Sequence, residues 1–256
     1  MKKLFIFLIM INLTACVPYK NIVYVQGNIK DNTSLSEEYK VKKKDILYIE
    51  IKSSNEEIQK LFQAGTLTQN GQVSQNNLYF KGYTVDENGT IELPILSKIK
   101  VEGKTFEEIK NLIKKRLLQT QFASLQDVFV VVKLGGVPYT ILGEVKNPQS
   151  AVLYKTQPNI LDAIASAGDV TLTGDLRHVV LIRDENGKKI KEEMDLTQSD
   201  IINSPYFYLR PNDLIYVKPL RQKTLGTGTT LSQTISTTIT ALSLITTIIL
   251  LSNLNK

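Results

Sequence analysis

Few side chains in this sequence are suited to chemistry, and their spacing does not group them as a catalytic site requires. His178 is the only histidine and Cys16 the only cysteine among 256 residues, so one chain can form neither an internal disulfide nor a thiolate cage for zinc. The sequence contains no nucleophile-histidine motif, no zinc-protease motif and no phosphate-binding glycine loop. We therefore expect no enzyme, no metal and no cofactor, and we interpret His178 as a surface residue where a strand begins.

Cys16 is the residue whose position indicates a covalent modification. A charged start, the apolar run 4–13 and small residues before the cysteine are typical of a signal peptide. The run is shorter than the about 20 residues that a membrane-spanning helix needs, so we expect residues 1–15 to be removed. Leu13-Thr14-Ala15-Cys16 resembles the lipobox of bacterial lipoproteins, in which the thiol receives a lipid before cleavage. We predict lipid attachment at Cys16; an ordinary signal peptide with an incidental cysteine stays open as the alternative.

Charge and length set limits on the class of protein. The formal net charge of +6 is too mild to indicate a nucleic-acid partner. The chain after residue 15 is long enough for one large domain or two small ones with proper cores. The basic clusters at 42–44 and 114–116 could contact anionic sugars or phospholipid head groups, although we interpret them as solvated surface.

The C-terminal region has the character of a second membrane element. Residues 224–255 carry no charged side chain, and a helix over 231–252 would be about 33 Å long, enough to cross a hydrocarbon core. A helical wheel places the aliphatic side chains mainly on one face. The opposite face would carry the following candidate pore-lining residues: Gln233, Ser236, Thr237, Thr240, Ser243 and Thr247. We predict an amphipathic transmembrane helix there, with a plain single-pass anchor as the open alternative.

Hydrophobic patterning predicts an α+β fold, because strands and short helices mix without regular strand-helix-strand alternation. Residues 16–38 are predicted to be a lipidated tether, since periodic apolar positions are few. The predicted elements that follow are a strand at 46–51, a hairpin joining 83–85 to 90–95 through Asp86-Glu87-Asn88-Gly89, a helix at 105–118 opened by a Thr105–Glu108 capping box, and a central strand at 128–134.

The pair Gly135-Gly136 marks a predicted domain boundary, because a fresh strand pattern begins directly after it. The predicted elements of the second domain are a strand at 139–145, a helix at 159–167, a hairpin through the second Asp-Glu-Asn-Gly turn at 184–187 and a closing strand at 214–218. Two stretches, 39–51 and 208–217, are faintly similar: each has a tyrosine, a short polar linker, an aspartate and an apolar run. We interpret this similarity as two strands that each begin after a turn ending in aspartate.

The motifs on both sides of Gly135-Gly136 resemble those of the outer-membrane polysaccharide export family. Residues 39–105, with the Asp-Glu-Asn-Gly-Thr-Ile-Glu-Leu-Pro run, resemble its N-terminal export domain. Ile141-Leu142-Gly143-Glu144-Val145-Lys146-Asn147-Pro148 and Leu161-Asp162-Ala163-Ile164-Ala165-Ser166-Ala167-Gly168 resemble its soluble-ligand-binding β-grasp domain. Departures occur at Lys43-Lys44-Asp45 and Pro211-Asn212-Asp213, where Pro-Gly-Asp is usual, and at Ser97, where glycine is usual. Asn tolerates left-handed backbone geometry, and lysine does so less readily.

The resemblance implies an export domain at 39–135, one β-grasp domain at 136–220, and a linker with the membrane helix at 221–256. It implies a ring-forming homo-oligomer that carries capsular or exopolysaccharide across the periplasm and outer membrane. The implied partners are the polysaccharide and an inner-membrane polysaccharide copolymerase. The implied location is the outer membrane, with most of the chain in the periplasm. The alternative is a non-transporting, lipid-anchored module that binds glycan or organises the envelope.

Overall fold

The computed structural model describes residues 18–29, 38–54, 62, 82–120, 127–185, 187–224 and separate positions between 236 and 251. The chain is of mixed α and β type, as predicted. The strands are β1 (Ile46–Lys52), β2 (Tyr83–Thr84), β3 (Thr90–Leu93), β4 (Ser97–Lys100), β5 (Phe129–Leu134), β6 (Val137–Gly143), β7 (Gln149–Leu153), β8 (Gly174–Glu185), β9 (Lys188–Met194) and β10 (Asp213–Pro219). The helices are α1 (Phe106–Leu117), α2 (Ile160–Ser166) and α3 (Arg221–Thr224), with 3-10 turns at Tyr19–Asn21 and Ser199–Asn203.

The first unit of the fold is built on the antiparallel order β2-β1-β5, with β3 and β4 as a separate hairpin. Helix α1 begins at the predicted capping box, in which Thr105 and Glu108 each bond the other's backbone N–H. One face of the helix is fully buried and packs against the core of this unit. That face consists of Ile109, Ile113 and Leu117, the spacing expected for an amphipathic helix.

Two strand pairings differ from the prediction. Asp86 does close a turn, because its carboxylate accepts hydrogen bonds from the N–H groups of Asn88 and Thr90. The flanking strands nevertheless do not pair with each other: β2 pairs with β1, and β3 with β4. The chain reverses again after Leu93, which places Ile91 opposite Ile99 with both side chains buried. In the described part of the chain β5 is an edge strand rather than a central one.

The second unit is a mixed sheet of order β7-β6-β10-β8-β9 with α2 packed in its core. Strands β6 and β10 run parallel, and the other neighbours are antiparallel. The predicted hairpin at the second Asp-Glu-Asn-Gly turn is confirmed by the pairing of Glu185 with Lys188. Helix α2 is capped by Asn159, which forms a capping box with Asp162. The hydroxyl of Tyr139 on β6 lies 2.9 Å from Oγ of Ser166 at the end of α2.

The two units have separate hydrophobic cores and meet at Gly135-Gly136. Leu134 packs against both cores, and the N–H of Gly135 donates to the carbonyl of Ile46, 2.7 Å away. Gly136 has φ +120°, and a Cβ at this position would lie 2.3 Å from Cγ1 of Val152. Only glycine fits there without displacing β7.

The segment for which the sequence predicts a tether is partly fastened to the second unit. The N–H groups of Val25 and Gln26 donate to the carbonyls of Leu196 and Thr197, at 3.0 and 2.7 Å. Ser199 donates in turn to the carbonyl of Gln26 at 3.0 Å. Residues 18–29 therefore pack against the second unit, although they precede the first unit in the chain.

The predicted C-terminal transmembrane helix is not supported by the described residues. Within that part of the chain, no helix combines the length and the apolar character needed to cross a membrane. Of the region 231–252, the structure describes Ser236, Ile239, Thr240, 242–247 and Leu251, all in helical conformation. These positions do not make up a continuous span, so the membrane helix remains a proposal.

Candidate functional site

The turn before β1 is organised by the buried carboxylate of Asp45. Its Oδ2 atom accepts hydrogen bonds from the hydroxyl of Tyr39 and the N–H of Lys42, both at 2.8 Å. Burial raises the pKa of Asp45, and the hydrogen bonds from Lys42 and Tyr39 oppose that rise. Lys44 takes up a left-handed conformation with φ +71°, and its N–H donates to the carbonyl of Val85 at 2.9 Å.

The turn before β10 repeats this geometry in the second unit. Oδ2 of Asp213 accepts from the N–H of Arg210 at 2.8 Å, and Asn212 has φ +68°. The N–H of Asn212 donates to the carbonyl of Pro138 at 2.7 Å. The faint similarity between 39–51 and 208–217 therefore reflects the same turn used twice, as the sequence interpretation proposed.

A buried ion pair lies behind the second turn. Nε and Nη2 of Arg183 bind the two carboxylate oxygens of Asp213 at 2.9 and 2.7 Å, and Nη2 also donates to the carbonyl of Tyr208 at 2.8 Å. The guanidinium carbon is 5.6 Å from the ring centroid of Tyr206, a distance at which the ring face stabilises the cation. Sequence reasoning missed Arg183, because nothing in the local pattern of β8 distinguishes a buried arginine from an exposed one.

Tyr39 connects the two turns across the junction of the units. Burial and the neighbouring Asp45 carboxylate raise the pKa of Tyr39. Arg210 and Asp213 of the second unit are also near enough to act electrostatically on this phenol, in opposite directions. One end of the larger sheet, where β6 and β10 begin, therefore faces the first unit. We call it the junction end.

The opposite end of the same sheet, the exit end, is organised by Glu144, which follows β6. Its carboxylate accepts hydrogen bonds from the hydroxyls of Thr171 and Thr173 and from Nζ of Lys223 at 2.5 Å. Burial acts to raise the pKa of Glu144, but the hydrogen bonds from Lys223, Thr173 and Thr171 outweigh it and lower the pKa. The start of the C-terminal region is also held by its backbone, since the N–H of Leu220 donates to the carbonyl of Thr173 at 2.8 Å.

The N-terminal segment reaches the same exit end. The hydroxyl of Tyr24 donates to Oδ1 of Asp169 at 2.6 Å, and burial together with that carboxylate raises the pKa of Tyr24. Asp169 has φ +81°, and its carbonyl accepts from the N–H of Lys146 at 3.0 Å. Loop 168–173 therefore contacts both the N-terminal segment, through Asp169, and the start of the C-terminal region, through Thr173.

The predicted site residues are only partly described. Cys16, Gln233 and Thr237 lie outside the described residues. Ser236, Thr240, Ser243 and Thr247 are exposed and helical. Three of these four donate their hydroxyl protons to backbone carbonyls one turn back: Thr240 to Ser236, Ser243 to Thr240, and Thr247 to Ser243, at 2.8 to 2.9 Å. Such bonds satisfy the hydroxyl donors within the helix, so these side chains can face water or apolar surroundings.

The described residues bring together no set of metal-ligating side chains. His178 lies on β8, where Nδ1 is 2.9 Å from Oδ2 of Asp175 and Nε2 is 3.7 Å from Oε1 of Glu193. Arg177 binds the same Asp175 carboxylate, and hydrogen bonds from Arg177 and His178 outweigh burial to lower the pKa of Asp175. His178 is exposed, as predicted, but it is the fifth residue of β8 rather than a residue where the strand begins.

Comparison with known proteins identifies the class to which these two units belong. Residues 33–135 match the family model of the polysaccharide biosynthesis/export protein, and residues 138–217 match that of the SLBB domain. The chain therefore belongs to the polysaccharide export family.

A curated relative agrees with this family. The chain is 28% identical over 138 residues to the EPS I polysaccharide export outer membrane protein EpsA of Ralstonia nicotianae. The match covers 54% of this chain and 35% of the relative, so it spans about a third of that protein's length.

Proposed function

We propose that this protein is an outer-membrane lipoprotein whose copies form an oligomeric conduit for capsular or exopolysaccharide. Support comes from membership of the polysaccharide export family and from a relative named as an outer membrane export protein. In this proposal residues 1–15 are removed and Cys16 carries the lipid. The export domain occupies 39–135, the β-grasp domain 136–220, and the linker with the membrane helix 221–256. No catalytic residue is assigned, and transport requires none.

The observation that carries the proposal is the uncovered helical segment after α3. Its described side chains Ile239, Leu244, Ile245 and Leu251 are 44 to 62% exposed. Uncovered aliphatic groups on a helix need an apolar environment, which lipid or neighbouring copies can supply. A ring of such helices would place Ile239 and Ile245 toward lipid and line the conduit with Gln233, Ser236, Thr237, Thr240, Ser243 and Thr247. Leu244 and Leu251 fall on this polar side of the helical wheel.

The two ends of the larger sheet indicate how the protein is oriented relative to the outer membrane. Strand β6 starts beside the first unit at the junction end and finishes beside Glu144 at the exit end. If the C-terminal segment enters the outer membrane, the second unit lies next to that membrane and the first unit points into the periplasm. The first unit is then the part placed to meet an inner-membrane copolymerase.

A second candidate is a lipid-anchored module that binds glycan or organises the envelope without transport. The hydrogen bonds from Thr240 and Thr247 to their own helix backbone favour it, because they allow the helix to serve as a simple anchor in lipid. The two candidates differ in oligomeric state, since a plain anchor requires no ring.

The test is the state of the full chain extracted in mild detergent. We expect a ring by negative-stain microscopy and a matching mass by light scattering. The Cys16→Ala variant should remain unlipidated and fail to assemble, and Cys16→Ser, which also lacks the thiol, should behave in the same way. A lipidated wild-type protein that runs only as a monomer would reject the conduit.

A further inference from the structure

The exit end of the second unit carries exposed apolar side chains that the fold does not explain. Leu172 is 74% exposed at the centre of loop 168–173, between the two threonines that bind Glu144. Tyr19 and Ile22, on the fastened N-terminal segment, are 77% and 48% exposed. The hydrogen bond from Tyr24 to Asp169 brings this segment to the loop, and exposed apolar side chains grouped in one neighbourhood mark a surface for contact with lipid or protein.

The loop that presents Leu172 is held in place rather than free. Its left-handed Gly168 and Asp169 follow α2, and Asp169 is bonded by Tyr24 on one side and by the backbone of Lys146 on the other. Thr171 and Thr173 are tied to Glu144 on either side of Leu172. A leucine fixed outward by this many contacts is suited to insertion into a partner surface.

The positions at which the two terminal segments leave the second unit indicate that this partner is a lipid bilayer. Tyr19 is three residues from Cys16, so it lies within about 10 Å of the lipid attachment point however the chain runs between them. Lys223, bound to Glu144, is followed directly by the uncharged region 224–255. The lipidated N-terminus and the C-terminal segment of the proposed function therefore both leave the second unit beside the loop that exposes Leu172.

The side chains around this loop suit the interfacial region of a bilayer. Tyrosine favours the level of the head groups, where its ring is apolar and its hydroxyl is hydrated. Lys20 and Lys146 are exposed near Tyr19 and Asp169, and lysines can reach phosphate groups while their alkyl chains lie along apolar surface. Leucine at the tip supplies apolar area that can enter the acyl boundary.

We propose that loop 168–173, together with Tyr19 and Ile22, is a membrane-contact surface that seats the second unit on the phospholipid head groups, with Leu172 inserted. This inference depends on the proposed lipidation at Cys16. The lipid on Cys16 and the C-terminal segment are the first two contacts with the membrane, and this surface is a third. It fixes the tilt of the second unit rather than its attachment.

The experiment uses the full lipidated chain in vesicles of phosphatidylethanolamine and phosphatidylglycerol. Leu172→Cys is labelled with an environment-sensitive fluorophore, since the native thiol of Cys16 is consumed by the lipid. The control is Tyr154→Cys, because Tyr154 is also 50% exposed but lies beside Gly136 at the junction end. These ends are separated by the length of β6, about 20 Å.

Nitroxide-labelled head groups are then added to the vesicles. We expect the probe at residue 172 to lose most of its emission and the probe at 154 to keep it. If the protein sediments with the vesicles but the probe at residue 172 keeps its emission, the contact surface is rejected. This holds also when a blue shift of that emission shows that the probe is buried against another copy of the chain. Failure to sediment at all instead rejects the lipidated membrane protein itself, so the two failures are distinguishable.

Discussion

Arg183 and Asp213 form a bidentate ion pair between β8 and β10, with both side chains almost completely buried at 2% and 1% exposure. The same carboxylate caps the turn that begins β10 by accepting the N–H of Arg210. A pair of this kind holds the junction end of the larger sheet to the turn that faces Tyr39 of the first unit. Its removal should therefore affect both stability and the join between the units.

Asp213→Asn should destabilise the protein by about 3–5 kcal/mol, because it leaves a buried guanidinium without a counter-charge. The substitution keeps an oxygen that can accept the Arg210 N–H, but it replaces Oδ1, which accepts from Nε of Arg183, with an NH2 donor, so the loss combines the charge with one hydrogen bond. The double variant Arg183→Met with Asp213→Asn should recover part of the loss, which urea unfolding would measure. Asp184→Asn, at an exposed pair with Lys189, is the control and should change stability by no more than about 0.5 kcal/mol. A double variant no more stable than Asp213→Asn alone would contradict the explanation.

Lys44→Gly and Ser97→Gly should each stabilise the fold by about 0.5–1 kcal/mol. Both residues have positive φ, +71° and +54°, and that conformation costs an L-residue about 1–2 kcal/mol. The greater freedom of glycine in the unfolded chain offsets part of this gain. The midpoint of thermal unfolding measures the effect. Lys43→Gly, one residue before the left-handed position, should destabilise, and a gain there would show that the effect is not conformational.

Glu144 should make the attachment of the C-terminal region depend on pH. Its folded-state pKa is lowered, chiefly by hydrogen bonds from Lys223 and the two threonines that outweigh burial. The stabilisation is therefore complete above the ordinary glutamate pKa of about 4.3, and it is lost as the pH falls through the lowered pKa.

Hydrogen exchange at the backbone amides of Leu220 and Lys223, which bond to Thr173 and Leu220, should report this release. In wild type their protection should be constant above about pH 4.3, the ordinary glutamate pKa, and should fall as the pH drops from there through the lowered pKa of Glu144. In Glu144→Gln it should already be reduced at neutral pH and vary less with pH. Glu185→Gln, whose carboxylate binds Arg210 at the junction end, is the matched control. An unchanged pH profile in Glu144→Gln would contradict the assignment.

Thr240→Cys should react with a charged, membrane-impermeant thiol reagent in the assembled protein, whereas Leu242→Cys should not. The two positions are about 200° apart on a helix, so one faces the conduit when the other faces lipid. Mass spectrometry of the protein in vesicles measures the modification. Protection of both cysteines would favour the simple anchor, and reaction of both would show that the helix is not embedded.

Local sequence determined the elements whose stabilising groups are close in the chain. The capping box at Thr105 and Glu108 with its stripe of apolar positions gave α1 correctly, and the Asp-Glu-Asn-Gly turn at 184–187 gave the β8–β9 hairpin. The same turn at 86–89 gave the wrong pairing, because a turn fixes where the chain reverses but not which strand lies beside it. Strand β3 pairs with β4 rather than β2 because the second reversal places Ile91 opposite Ile99, where both side chains are buried.

The family and the aspartate turns were thus readable from the sequence alone, since both depend on residues a few positions apart. Only the tertiary structure brought Lys223 to Glu144, 79 residues away, and Tyr24 to Asp169, 145 residues away. Side chains so distant carry no mutual periodicity or spacing. Lys223 meets Glu144 because β6 and β10 run parallel and end together, and Tyr24 meets Asp169 after Val25 and Gln26 bond the backbone of residues 196–199. The sequence specified the turns and strands, and the packing of the sheet decided that both chain ends leave from the same loop.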